Sequence, residues 1–334
     1  MSDFTRSRLK SLLSKAKAVA ITTDGWSDML IRKYIGVTVH WIADGRLCSQ
    51  ALDMIPVEDG HETAENVWIL VEAAVQKAIP AKAFISCVVT DGVTTMISAR
   101  SLIADDGITC VDHSLHLVVM YLFGDDSNLQ IKHDVLELRA IVKTIRASGI
   151  IRKALAVACK VAGLTTRSIP LDVCTRWNST FFMIKQFEAL LPCVRSAWNA
   201  LEQDPLVTNL PSLPSDRACS RLFLFCKILK PFADINHWMQ GETYVTISAV
   251  PELLHHLMTH PSLEKDSDDP AWLNEIRTVL LEQLHRRFDE CLRPGSFHLK
   301  AAALHPVHCK MKFLTQYENV CVRFFSHFFD ANFC

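Results

Sequence analysis

Two apolar segments of this chain each end in the tripeptide Thr-Asp-Gly, with Asp24 closing the first and Asp91 closing the second. Apolar, β-branched runs of this length predict strands that are buried inside a sheet. Open α/β sheets bind ligands at the edge where such strands end. Two carboxylates that meet there could share divalent metal ions, the arrangement used for attack on phosphodiesters. Taken singly, either aspartate is more typical of a turn or a helix cap.

The segments around these aspartates follow one another in a definite order. Residues 34–42 place Ile35, Val37 and Val39 on one face of a strand, and Asp44-Gly45 predicts a tight hairpin to the next strand. The predicted elements are, in order, helix 10–17, strands 18–23, 34–42 and 47–57, helix 63–79, strand 84–90, helix 96–103, strand 108–111 and helix 114–123. This succession is the ribonuclease-H-like layout, in which the first and fourth strands are neighbours. The sequence therefore predicts that Asp24 and Asp91 lie side by side.

From residue 131 onward the pattern changes to long amphipathic stretches, which predict an all-helical region. The chain has 334 residues, of which 49% are hydrophobic, and this composition excludes a disordered protein. Its apolar runs are too short to cross a bilayer, so no membrane association is expected. Twelve cysteines without a signal peptide suggest reduced thiols in the nucleus or cytoplasm. No Cys-x-x-Cys pair occurs, so the common zinc-finger spacings are absent.

The net charge of −1 is unevenly distributed along the chain. Residues 131–190 carry 10 Lys/Arg against 4 Asp/Glu, a net of +6, whereas residues 1–130 carry 11 against 16, a net of −5. A basic stretch of this kind is consistent with a surface that faces phosphates, although it also fits a merely solvated helix face. The overall pI of 6.9 argues against strong autonomous binding to nucleic acid.

Four motifs, taken together, resemble the hAT superfamily of transposases and the proteins derived from them. They are Thr22-Thr23-Asp24-Gly25-Trp26-Ser27, Val89-Thr90-Asp91-Gly92 with Met96, Cys110-Val111-Asp112-His113-Ser114-Leu115, and Thr175-Arg176-Trp177-Asn178-Ser179-Thr180. They occur in the family's order, and the resemblance covers roughly residues 10–315. The fold it implies is α/β plus all-α: a ribonuclease-H-like mixed-sheet core, with its first part at 1–130, a helical insertion domain at 131–315, and a truncated tail at 316–334.

The resemblance also implies roles for individual residues. Asp24 and Asp91 match the first two of three acidic ligands, which implies weak binding of Mg²⁺ or Mn²⁺. Cys110 and His113 match a Cys-x-x-His element beside the active site; the alternative is a buried thiol and a capping or core histidine. Zinc is not expected, because no second pair of ligands accompanies them. Trp177 matches a tryptophan that stacks on a displaced base, the alternative being an anchor for helix packing.

Three departures from the family shape the functional expectation. The BED-type zinc finger, the carboxy-terminal segment with the third acidic ligand, and the dimerisation region are not found, and His305 stands where the family has an aspartate. We therefore expect a nuclear protein (or a cytoplasmic one), derived from a transposon, that is associated with nucleic acid or chromatin and does not catalyse. The alternatives are a metal-dependent transposase with a site completed outside this chain, and a degenerate fragment or protein-interaction module. Protein partners cannot be read from the sequence. Weak, non-specific DNA contacts are expected from Lys143, Arg146, Arg152, Lys153 and Arg176.

Overall fold

A computed structural model of the chain describes residues 3–14, 16–58, 63–79, 83–101, 107–124, 130–165, 168–205, 207 and 209–311. The chain divides into two compact units. The first draws on Met1–Ser114, Trp238–Pro251 and Cys291–Cys334, and the second on Leu115–His237 and Glu252–Glu290. The second unit thus interrupts the sequence of the first. The predicted tail at 316–334 lies outside the described residues.

The first unit is built on a five-stranded mixed sheet. Its strands are β1 (Ala18–Ser27), β2 (Lys33–Ala43), β3 (Arg46–Val57), β4 (Phe84–Thr90) and β5 (Gly107–Thr109). They are ordered β3-β2-β1-β4-β5; β2 is antiparallel to its two neighbours β1 and β3, and β4 and β5 run parallel to β1. This confirms the predicted ribonuclease-H-like layout of the sheet.

The turn between β2 and β3 has the conformation that its sequence predicts. Asp44 and Gly45 have φ values of 49° and 71°, and they connect the paired residues Ala43 and Arg46. Two successive positive φ angles define the type I′ turn, which the Asp-Gly pair favours and which matches the twist of the strands. The turn therefore fixes the register of the antiparallel half of the sheet.

Eleven α-helices are found among the described residues. They are α1 (Asp3–Leu13), α2 (Ala64–Ala78), α3 (Thr94–Ser101), α4 (Val111–Met120), α5 (Gln130–Ala147), α6 (Gly149–Val161), α7 (Trp177–Glu202), α8 (Asp216–Met239), α9 (Val250–Met258), α10 (Ala271–Phe288) and α11 (Phe297–Ala303). Thr63 caps α2 as predicted, because its side-chain oxygen accepts a hydrogen bond from the backbone N–H of Asn66. Beyond residue 130 the described part of the chain contains helices and no strand, in agreement with the prediction.

Several boundary predictions were wrong. The helix expected at 10–17 is found as α1 at Asp3–Leu13, and the strand expected at 18–23 continues to Ser27. The strand expected at 108–111 ends at Thr109, and α4 already begins at Val111. The backbone N–H of Cys110 still pairs with the Thr90 carbonyl at 2.6 Å, but the Cys110 carbonyl accepts the Ser114 N–H at 3.0 Å. Cys110 therefore joins the sheet to the helix, and His113 lies in the first turn of α4.

Each unit has its own hydrophobic core. In the first unit the apolar face of the sheet, including the fully buried Val37 and Val39, packs with Val71 of α2. In the second unit the helices bury Phe187, Phe225 and other aromatic side chains completely. Burial on this scale holds both the sheet and the helices in place, and so fixes the strands β1 and β4 that position Asp24 and Asp91.

Candidate acidic site and basic helical surface

Asp24 and Asp91 lie at the same edge of the sheet. The parallel pairing of β1 with β4 ends at the aligned pair Thr22 and Val89. Asp24 lies inside β1, which continues to Ser27, and it pairs with Gly36 of β2, so the prediction that Asp24 closes its strand was wrong. Asp91 is the first residue after β4, which ends at Thr90, as predicted. Asp24 is exposed and Asp91 is half-buried. The Oδ1 atom of Asp91 accepts a hydrogen bond from the backbone N–H of Val93 at 3.2 Å, which holds its carboxylate at the start of the following loop.

Cys110 and His113 are also placed at this edge. A Cβ atom added to Gly92, the residue after Asp91, would lie 3.8 Å from Cδ2 of His113. Burial raises the pKa of the Cys110 thiol, and the negative charges of Asp112 and Asp24 raise it further, against hydrogen bonds that lower it. These effects together favour the neutral form of the thiol.

Arg100 is a component of this edge that the sequence did not reveal. Its guanidinium donates hydrogen bonds to the hydroxyl oxygens of Thr109 at 3.1 Å and Thr90 at 3.4 Å, the last residues of β5 and β4. Arg100 thereby connects the ends of these two strands. It lies in the last turn of α3, and no local motif marks it, since its role depends on how α3 packs against β4 and β5.

The acidic edge offers a hard cation carboxylate ligands, but only two of them. Carboxylate oxygens are the ligands that Mg²⁺ and Mn²⁺ prefer, and Mg²⁺ is often held by one or two carboxylates together with water and substrate phosphates. Among the described residues, just one group of three potential ligands lies within reach of a single ion, and it is elsewhere, at His133, Asp134 and Glu137 of α5. That group is compromised as a metal site, because both carboxylate oxygens of Asp134 accept hydrogen bonds from Arg221 at 2.6 and 2.7 Å.

The five predicted DNA-contacting residues are all exposed and belong to the second unit. Lys143 and Arg146 lie on α5, Arg152 and Lys153 lie on α6, and Arg176 immediately precedes α7. Arg146 donates a hydrogen bond to the Ile169 carbonyl at 3.2 Å, and Arg152 donates one to the Arg146 carbonyl. These contacts orient the guanidinium groups without neutralising their charge.

Two of the four acidic residues in the basic stretch are buried and paired. Asp134 is bound by Arg221, which lies outside the stretch, and Asp172 accepts hydrogen bonds from Arg139 at 2.7 and 2.6 Å. Burial raises the pKa of Asp172, but the hydrogen bonds from Arg139 and Thr180 outweigh it and leave the pKa below its ordinary value. Asp134 and Asp172 therefore contribute little negative charge to the surface that carries Lys143 and Lys153.

Trp177 is buried at the first turn of α7. Its side chain is 1% exposed, and its ring packs edge to face on Phe181 at 6.4 Å between centroids. Within the described part of the chain, the indole Nε1 has no hydrogen-bond acceptor. The indole therefore packs inside the helical core, which is the alternative role given above. Stacking on a base stays a prediction, and it would require the ring to leave this position.

No helix in the described ranges is long and apolar enough to cross a membrane.

Comparison with known proteins gives one family match and two relatives. Residues 108–208 match the model of the ZBED1 RNase-like helical domain. The chain is 23% identical over 254 residues to a protein of Zea mays named putative AC transposase, an alignment that covers 72% of this chain and 30% of that protein. It is also 23% identical over 193 residues to the putative AC9 transposase of Zea mays, covering 53% of this chain and 22% of that protein. The chain thus spans less than a third of the length of either relative.

Proposed function

We propose that this protein, a relative of the hAT-type transposases, associates with DNA in the nucleus and does not cut it. DNA association is supported first by the names of the two relatives, which describe them as transposases. It is supported next by the basic side chains of α5 and α6. Chromatin is the form in which a nuclear protein of this kind would meet its DNA.

The observation that carries the proposal is the exposure of Lys143, Arg152 and Lys153 on two consecutive helices, while Asp134 and Asp172 nearby in sequence are buried in ion pairs. Exposed Lys and Arg side chains that face phosphates release counterions on binding, so the affinity falls steeply with salt. Phosphate contacts do not distinguish sequences. The DNA binding we propose is therefore weak, salt-sensitive and independent of sequence.

The composition of the acidic edge supports the proposal that the chain does not cut DNA. Asp24 and Asp91 would hold a Mg²⁺ or Mn²⁺ ion together with water or phosphate oxygens, and such an ion would stabilise charge on a reacting phosphate. Over the described ranges, Asp24 and Asp91 do not belong to any group of three His, Cys, Asp or Glu side chains within reach of one ion. In-line displacement by two ions requires a fixed and complete set of ligands, which two carboxylates do not provide.

Nuclear residence is the least directly supported part of the proposal. The ten described cysteines are all free thiols, and reduced thiols are typical of the nucleus and cytosol. A fluorescent fusion of the chain should concentrate in the nucleus. Uniform cytoplasmic fluorescence would favour the cytoplasmic alternative.

The DNA-binding proposal is tested by fluorescence anisotropy with two unrelated 20-base-pair duplexes. We expect equal affinity for both, and a steep loss of affinity as the salt concentration rises. The double variant Lys143→Glu/Lys153→Glu should bind about tenfold or more weakly at low salt, because two favourable phosphate contacts become repulsive. The matched control is Lys227→Glu/Lys300→Glu, which makes the same change in net charge at two exposed lysines on α8 and α11 and should bind as the unaltered chain does.

Three results would count against the proposal. Equal loss of affinity in both double variants would show that net charge matters and the α5–α6 surface does not. Affinity that survives high salt would mean that phosphate contacts do not dominate. Absence of any binding at low salt would favour the alternative of a protein-interaction module.

A further inference from the structure

A pocket of about 250 Å³ opens beside Asp91 in the first unit. Its walls include Trp26, Lys33, Tyr34, Asp91, Val93 and Met96. Sites for drug-sized ligands usually occupy roughly 300–1,000 Å³, so this pocket is suited to a smaller group. The sequence did not predict it, because its walls come from β1, β2, α3 and the loop after β4.

Trp26 is held in a fixed position on one wall of this pocket. It pairs with Tyr34 across β1 and β2, and the two rings stack with centroids 5.9 Å apart and planes 21° apart. On the neighbouring β2 position, a Cβ atom added to Gly36 would lie only 2.9 Å from Cζ3 of Trp26. A glycine at position 36 therefore leaves the space that the indole occupies.

The indole nevertheless remains 41% exposed. A large aromatic ring that is fixed by its neighbours and still open to solvent loses little conformational freedom when a flat ligand stacks on it. Val93 and Met96 supply apolar surface next to it. An exposed aromatic ring beside apolar walls is the arrangement on which a nucleobase stacks.

We propose that Trp26 is a stacking platform for one nucleobase of a nucleic-acid strand that passes the Asp24–Asp91 edge. Every base has an aromatic face, so stacking of this kind tolerates any sequence. The inference rests on the proposed association with DNA, and it adds a contact that phosphate binding by α5 and α6 does not supply. It concerns the first unit alone and is independent of Trp177.

The experiment uses the mononucleotide of 2-aminopurine, whose fluorescence is quenched when it stacks on an indole. Titration of the full chain into this nucleotide, in the presence of Mg²⁺, should give saturable quenching. Trp26→Ala should weaken the apparent affinity about tenfold, the scale of losing one base–aromatic stack. Trp26→Phe should retain most of the affinity, because a phenyl ring also stacks. Phe84→Ala is the matched control: Phe84 is 67% exposed at the opposite end of β4, and its loss should have no effect.

The outcomes separate this inference from the proposed function. Equal titration curves for the unaltered chain and Trp26→Ala would overturn the stacking role, and so would a lack of saturable quenching by the unaltered chain. If the pocket binds a partner protein and not a nucleobase, the unaltered chain should give no saturable quenching. Lys143→Glu/Lys153→Glu should leave nucleotide quenching unchanged. If the unaltered chain quenched the nucleotide but did not bind duplex DNA, the DNA-binding role of α5 and α6 would be refuted. The stacking role of Trp26 would still hold.

Discussion

Asp24 and Asp91 each lie two residues beyond Thr22 and Val89, the last aligned pair of the parallel strands β1 and β4. Both negative charges thus lie on the same side of that last pair. Like charges that are close together repel each other unless a cation lies between them. The relationship therefore predicts a weak preference of this edge for divalent cations.

Isothermal titration of Mn²⁺ should detect that preference. Asp24→Asn or Asp91→Asn should abolish it, since either change removes one of the two charges. Asparagine at position 91 can still accept the hydrogen bond from the Val93 N–H, so the loop should keep its conformation. Asp44→Asn, in the exposed hairpin turn, is the control and should bind Mn²⁺ normally. Equal uptake by all four proteins would place the ion elsewhere.

The ion pair between Arg139 and Asp172 predicts a large effect on stability. The Asp172 side chain is fully buried, and two hydrogen bonds from Arg139 compensate its charge. Arg139→Met should destabilise the chain by roughly 3–5 kcal/mol, because it leaves a buried carboxylate without its partner. Urea unfolding at pH 7 measures the loss.

The double variant Arg139→Met/Asp172→Leu separates the cost of the unpaired charge from the value of the pair. Replacing both partners by apolar groups should restore most of the lost stability. The low pKa of Asp172 stabilises the folded state above the carboxyl's ordinary value of 3.8, and this contribution is lost as the pH falls through the lower folded value. A double variant as unstable as Arg139→Met would mean that the pair itself supplies the stability.

The buried His298 predicts a second loss of stability with falling pH, at higher pH values than the loss that Asp172 causes. Burial lowers its pKa from 6.5 to about 4, so the imidazole is neutral in the folded chain. Between pH 6.5 and about 4 the unfolded chain binds a proton that the folded chain does not, and stability falls as the pH falls. The loss should approach about 3 kcal/mol. His298→Gln should lack this part of the slope in urea unfolding at pH 7 and pH 4.5. Parallel pH profiles for the two proteins would contradict the assignment.

The thiols should react according to their burial. Burial raises the pKa of Cys226 to about 12, and burial together with a hydrogen bond that the Cys159 thiol donates to Cys193 raises the pKa of Cys159 to about 11. Because the thiolate is the reactive form, both should resist iodoacetamide at pH 8, whereas the exposed Cys174 should react quickly. Peptide mass spectrometry measures the rates, and unfolding in urea should make them similar. Cys226 alkylated as fast as Cys174 in the folded chain would show that the second unit opens there.

Local patterns predicted the elements of the sheet well. The Asp44-Gly45 turn, the Thr63 cap and the strand from Phe84 to Thr90 depend on neighbouring residues, and each was found at the predicted place. The helix expected at 114–123 begins earlier, since the backbone pairing of Cys110 with Thr90 depends on a strand distant in sequence. Sequence periodicity carries no information about such pairings.

The site could be predicted only in outline. Asp24 and Asp91 were identified from strand ends and a known layout. The hydrogen bonds of Arg100 and the pocket beside Trp26 depend on packing between separate elements. No sequence motif predicts either of them. The buried ion pair of Asp134 with Arg221 joins residues 87 positions apart. The charge count over residues 131–190 therefore overstated the number of acidic groups on the surface of α5 and α6.

Incubation of the chain with supercoiled plasmid and Mn²⁺ at low salt tests the central claim most directly, because one gel reports both binding and cleavage. Before removal of the protein, the plasmid should migrate more slowly, and Lys143→Glu/Lys153→Glu should reduce this shift. After the protein is removed, the plasmid should still be supercoiled. Nicked or linear plasmid with the unaltered chain, and none with Asp24→Asn, would contradict the account and show an active transposase-like site.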